Sequence, residues 1–147
     1  MDIFIGADHR GFTLKAKLVA WLASQGHTVH DVGAEQYRED DDFPQYAAAV
    51  ARAVAEQREA LGVAICGSGG GASIAANKIV GARAVVVQSP ELAEYARRED
   101  DVNVLALAAD FTTFADARAI TRAFIATPFD PVERHVRRLE QVAALER

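Results

Sequence analysis

The sequence predicts a three-layer α/β/α sandwich on a five-stranded parallel sheet, with an extra helix at the carboxyl end. Three observations lead there. Short apolar, β-branched runs alternate with amphipathic helical patterns from end to end, the pattern of β-then-α units packed on both faces of a parallel sheet. The chain has 147 residues, half of them hydrophobic, enough for a single domain spanning 1–147 that buries ~70% of its unfolded surface. No repeat, low-complexity tract or linker interrupts it. Right-handed crossovers and a doubly wound strand order of 2-1-3-4-5 place the ends of strands one and three side by side. Ligands of open α/β sheets bind at such a point.

The elements follow in order. Ile3 to Ala7 is an apolar strand, and Leu14, Leu18, Trp21 and Leu22 make one helical face. Thr28 to Val32 is the second strand, closed by Gly33. Asp42 and Pro44 open the next helix, whose inner face is Tyr46, Val50 and Val54. Leu61 to Cys66 is the third strand, and a helix resumes from Ala72 to Lys78. Ala82 to Val87 is the fourth strand. Ser89 then caps a helix with Pro90 at its first position. Asn103 to Leu107 is the fifth strand, and Thr113 starts another helix that ends before Pro128. Asp130 and Glu133 have the spacing of a capping box, which predicts a last helix with Val132, Val136, Leu139 and Ala143 as its buried stripe. The acidic run Glu39 to Asp42 reads as a solvated loop.

Composition excludes several functions. A net charge of −5 and the lack of a basic stripe argue against nucleic acid. No basic leader, long apolar segment or metal-ligand spacing is expected. The lack of a long apolar segment leads to no expected membrane partner, and one cysteine, which forms no internal disulfide, to an expected cytoplasmic location.

The chemistry concentrates in Cys66-Gly67-Ser68-Gly69-Gly70-Gly71. The thiol sits at a strand's carboxyl end, and the glycines turn the chain into a helix whose first N–H groups stabilise anions. A thiolate there is a base or nucleophile beside an anion hole. Gly67 to Ala72 also fits the dinucleotide pattern G-x-G-x-x-A, but the acid expected after the next strand is missing at Val87-Gln88-Ser89. The Asp8-His9 pair ends strand one and reads either as site residues or as a turn capping the next helix. Arg134 and Arg138 lie one helical turn apart, as a solvated basic face or as a grip on phosphate or carboxylate.

Several motifs together carry a family resemblance: Gly6-Ala7-Asp8-His9-Arg10-Gly11-Phe12, Asp42-Phe43-Pro44-Gln45-Tyr46, Cys66 to Gly71, Ile74-Ala75-Ala76-Asn77-Lys78, Asn103-Val104-Leu105 and Arg134-His135-Val136-Arg137-Arg138. Over nearly its whole length the chain resembles the type B ribose-5-phosphate isomerases, a group that includes galactose-6-phosphate isomerase. The resemblance implies a Rossmann-like sheet and a homodimer or homotetramer with active sites shared between chains. It also implies a sugar-phosphate substrate and no metal or cofactor. By the same resemblance Cys66 is the catalytic base, and Ala72 places the chain in the cysteine branch. Ser68 relays a proton between substrate oxygens, and Gly67, Gly69, Gly70 and Gly71 hold the enediolate. Asp8 and His9 contact the sugar and its phosphate end, Tyr46 forms a pocket wall, and Arg134 and Arg138 bind the phosphate.

The chain departs from the family pattern at three places. Glu99 and Asp100 stand where the family has a ring-opening histidine and an asparagine. Asp110 stands where it often has a phosphate-binding arginine. Glu99 remains the candidate for proton transfer during ring opening, and Asp100 lies beside it as a binding residue. Asp110 is expected to weaken phosphate affinity. The alternatives are a tetrose phosphate, a non-phosphorylated sugar, or a sugar-phosphate-binding homologue without turnover.

Overall fold

A computed structural model describes residues 1–146. Five parallel strands, β1 (Asp2–Ala7), β2 (Thr28–Asp31), β3 (Leu61–Cys66), β4 (Ala84–Val86) and β5 (Val104–Ala108), form one sheet. The helices are α1 (Phe12–Ser24), α2 (Phe43–Glu56), α3 (Gly70–Ala76), α4 (Pro90–Asp100), α5 (Phe114–Ala126) and α6 (Glu133–Ala143). The three-layer α/β architecture is as the sequence predicts.

Strand alternation divides the core in two. Ile3, Ile5, Leu61, Val63, Ile65, Leu105 and Leu107 face α1, α4 and α5, where Leu18, Leu22, Ile120 and Phe124 are fully buried. Phe4, Ala64, Cys66 and Val104 face α2 and α3 and meet Val50, Val54, Ala72 and Ala76. Burying a side chain such as Phe124 stabilises the fold by about 2–3 kcal/mol. The cap signals hold for α4 and α5. Ser89 accepts from the Leu92 N–H at 3.3 Å and Thr113 from the Asp116 N–H at 3.1 Å.

The observed strand order is β2-β1-β3-β5-β4, which corrects the expected 2-1-3-4-5 in its last two positions. The reason is burial. All five residues of β5 are buried, as are all six of β3, and runs apolar on both faces belong in the middle of a parallel sheet. Only three residues of β4 pair, two of them half-exposed, so it sits at the edge. The reversal point between β1 and β3 is unaffected. The end of β5, rather than that of β4, now flanks the glycine loop.

α6 also departs from expectation. Val132 is its N-cap and makes no side-chain cap. The Asp130 carbonyl instead accepts from His135 Nδ1 at 2.9 Å. Of this helix only His135 is buried, at 2% exposure, while Val136 is 36% exposed, Ala143 is exposed and Val132 and Leu139 are half-buried. The apolar stripe predicted as buried therefore faces outward in the single chain, because α6 packs along α4 and not on the sheet.

Candidate active site

The predicted site residues gather where β1 and β3 end. Ala7 and Ile65 are register partners, and the Asp8 N–H donates to the Ile65 carbonyl at 3.3 Å. Cys66, 3% exposed, follows at the end of β3 on the α2/α3 face. Gly69 takes φ +74°, the left-handed conformation that turns the loop into α3. Ser68 is exposed, and its Oγ accepts from the Gly70 N–H at 3.3 Å. The amides of Ser68 and Gly69 meet no acceptor among the described residues. A buried thiol thus lies next in the chain to amides without an internal acceptor, the stretch from which the sequence reading expects a base and an anion hole.

Asp8 serves the turn. It is 4% exposed, and its Oδ1 accepts from the N–H groups of Arg10 at 3.0 Å and Gly11 at 3.2 Å. His9 stands half-buried above it. Tyr46 comes from α2 beside Asp41, and burial and then Asp41 raise its phenol above the usual range. Phe43 lies over the loop so closely that a Cβ built on Gly71 would fall 2.5 Å from its ring.

Two features escaped the sequence reading. Asp41 is not part of a solvated run: its side chain is 3% exposed and bonded to His9. Asp110 is not an unpaired acid: it forms an ion pair with Arg10. That pair rests on Gly67, where a Cβ would lie 2.7 Å from Arg10 Nε and 2.8 Å from Asp110 Oδ2. The Asp110 N–H donates to the Gly67 carbonyl at 3.0 Å, tying the end of β5 to the loop. A composition-based reading sees only an acidic stretch and a lost arginine. The signal that would have found the pair is Arg10 itself, a charge of opposite sign at another strand end.

The remaining predicted site residues lie elsewhere in the chain. Glu99 and Asp100 end α4 beside the amino ends of β4 and β5. There Asp101 pairs with Arg83 at 2.8 Å and Asn103 accepts from the Arg83 N–H at 2.7 Å. β5 has five residues at about 3.3 Å each, so these acids stand on the order of 15 Å from the Cys66 end. Arg134 and Arg138 are exposed on α6, and Arg138 lines a groove with Asp100, Asn77, Lys78 and Val142. One chain thus assembles Asp8, His9, Tyr46, Cys66, Ser68 and the glycines, and holds Glu99, Asp100, Arg134 and Arg138 apart from them. A hollow of about 820 Å³ lies between Arg58, Arg83, Arg97 and Phe129. It is at the amino edge of the sheet and holds none of the loop chemistry, so size does not assign the site.

A strand-end thiol, a glycine loop and an acid-held histidine gathered where strand order reverses have the layout of an α/β enzyme. The chain belongs to the ribose/galactose isomerase family, which it matches over residues 3–142. It is 39% identical over 147 residues to ribose-5-phosphate isomerase B of Mycolicibacterium paratuberculosis, covering all of this chain and 92% of that one. It is 41% identical over 144 residues to ribose-5-phosphate isomerase B of Escherichia coli, covering 98% and 95%. The fold matches ribose-5-phosphate isomerase B of Mycoplasma genitalium, crystallised with bound ribulose 5-phosphate, at a TM-score of 0.94. There the identity is 36%, and the match covers 99% of this chain and 95% of that one.

Proposed function

We propose that this protein is an aldose–ketose isomerase of the ribose 5-phosphate to ribulose 5-phosphate type, with Cys66 as the base. The observation that carries the reading is the placement of Cys66 against the glycine loop at the β1/β3 reversal point. Family membership and a structural neighbour holding ribulose 5-phosphate support the substrate class. The Cys66 thiolate takes the proton from C2 of the open-chain aldose. The C2–H electron pair forms the C1–C2 double bond, and the carbonyl pair moves to O1. The amides of Ser68 and Gly69, with the backbone of Gly70 and Gly71, stabilise the enediolate. Ser68 Oγ carries a proton from O2 to O1, and the Cys66 proton returns to C1.

The site is completed by a second copy of the chain. Glu99, Asp100, Arg134 and Arg138 stand at the end of the fold remote from Cys66, and α6 leaves Val136 and Ala143 of its apolar stripe outward. A symmetric homodimer, alone or within a tetramer, buries that stripe and brings these groups to a partner's crevice. No helix is long and apolar enough to cross a membrane among the described residues. The unpaired Cys66 suits the cytoplasm.

One observation favours a second substrate. Glu99 stands where the resembled family has its ring-opening histidine, and a tetrose 4-phosphate cannot close a furanose ring. The deciding experiment screens tetrose, pentose and hexose phosphates and their free sugars, with NMR exchange of the C2 proton in deuterated water. Turnover of ribose 5-phosphate with exchange is the expected result. Absence of exchange with every sugar would leave only a binding protein.

The Arg10–Asp110 pair revises the expectation of simple repulsion at the phosphate end. Asp110 already has its counter-charge, so the family's guanidinium has in effect changed strands. Arg10→Ala is expected to raise KM for ribose 5-phosphate about tenfold, equivalent to ~1.4 kcal/mol, because it leaves Asp110 unpaired. The double exchange Arg10→Asp with Asp110→Arg is expected to recover most of that loss. An unchanged KM in Arg10→Ala would remove Arg10 from the site.

A further inference from the structure

Asp41 is the member of the Glu39–Asp42 run that turns inward, its side chain 3% exposed. The loop carrying it is pinned at its start. The Ala34 N–H donates to the Ala7 carbonyl at 3.0 Å. Buried Lys15 donates to the Ala34 carbonyl at 2.6 Å and to Asp31 at 2.7 Å. Asp41 Oδ1 accepts twice from His9, from the backbone N–H at 2.7 Å and from ring Nδ1 at 2.8 Å. With Nδ1 donating to a carboxylate, Nε2 is the ring nitrogen left to meet a ligand. The His9 side chain is 27% exposed, so the ring is accessible.

We infer that Asp41 is a positioning residue, one that fixes the His9 ring as a cation and offers its Nε2–H to the anionic end of the substrate. The charge matters because the neighbouring Arg10–Asp110 pair contributes no net charge at this mouth. The substrate half of this inference rests on the function proposed above, whereas the His9–Asp41 half does not.

The groups around the ring agree with that role. Asp41 and Asp8 face it, Tyr46 comes from α2 with Arg38 near its hydroxyl, and Tyr37 meets the imidazole edge-on at 6.5 Å. The Asp41 bond raises His9 above its ordinary value, and burial opposes it only in part. Burial pushes Asp41 upward, but the His9 N–H and ring, with the Tyr46 hydroxyl, outweigh it and hold the carboxyl below the usual range. The sign follows. The His9 cation is complete below the ordinary histidine value, about 6.5, and is lost only as pH rises through the higher folded value.

The test is an NMR titration of the four histidines, with His9 assigned by its loss in His9→Asn. His9 is expected to titrate above about 6.5 in the wild type, and at or below that in Asp41→Asn. Above both values, each unit of that fall removes about tenfold of the charged form. The KM ratio of Asp41→Asn to wild type, measured with ribose 5-phosphate, should therefore be near one at pH 6 and rise above one as pH increases to 8. A wild-type His9 titrating at or below its ordinary value would overturn the inference, whether or not the variant folds. So would a KM ratio that is flat with pH. If the titration behaves as expected and no sugar phosphate is turned over, the proposed function fails and the His9–Asp41 pairing stands.

Discussion

Cys66→Ala is expected to abolish isomerisation and C2 proton exchange while leaving the protein folded. The thiol is the only side chain on the glycine loop that can take a proton from carbon, since Ser68 is a hydroxyl and the rest are glycines. Loss of a general base costs at least ~10²-fold in rate. The fold tolerates the change because Cys66 packs among small residues, Ala64, Ala72 and Ala76, and only one sulfur atom is deleted. That cavity costs about 1 kcal/mol, similar to the loss of one buried methyl group. Parallel measurements of turnover, deuterium exchange and thermal unfolding separate the two effects. Near-normal turnover in a folded Cys66→Ala protein would sink the mechanism.

Subunit complementation is the second large effect expected. Cys66 and Arg138 stand at opposite ends of the fold, so a site shared across a dimer takes each from a different chain. Cys66→Ala and Arg138→Ala homodimers should each be inactive or nearly so with ribose 5-phosphate. Mixed and re-equilibrated, half of the dimers carry one of each chain, and in each hybrid one site has both intact residues. About a quarter of wild-type activity is therefore expected to return under two-fold symmetry. If both residues served a site within one chain, every site in the mixture would still lack one of them. Mixing would then restore nothing. A fully active monomer by sedimentation would also defeat the shared-site arrangement.

The sequence alone determined the parts whose physics is local. Strand β3 and a glycine turn into a helix follow from an apolar run and glycines able to take positive φ, although α3 runs from Gly70 to Ala76 and not from Ala72 to Lys78. Ser89 and Thr113 were legible as caps because a cap bonds to an N–H three residues away. The adjacency of Asp8 and Cys66 followed from the rule that sheets bind ligands where strand order reverses, a rule indifferent to which of β4 and β5 lies at the edge.

Tertiary structure decided what depends on distant partners. His9 and Asp41 are 32 residues apart, and Arg10 and Asp110 are 100 apart. No periodicity encodes such pairings, so an acidic run read as solvated loop and Asp110 as a bare like charge. The β5-before-β4 order was likewise a contest of burial, won by the strand that is apolar on both faces. The stripe of α6 was correctly apolar and wrongly assigned to the interior. An amphipathic pattern states that a helix must cover one face, and only the packing of the whole chain shows which neighbour is there to cover it.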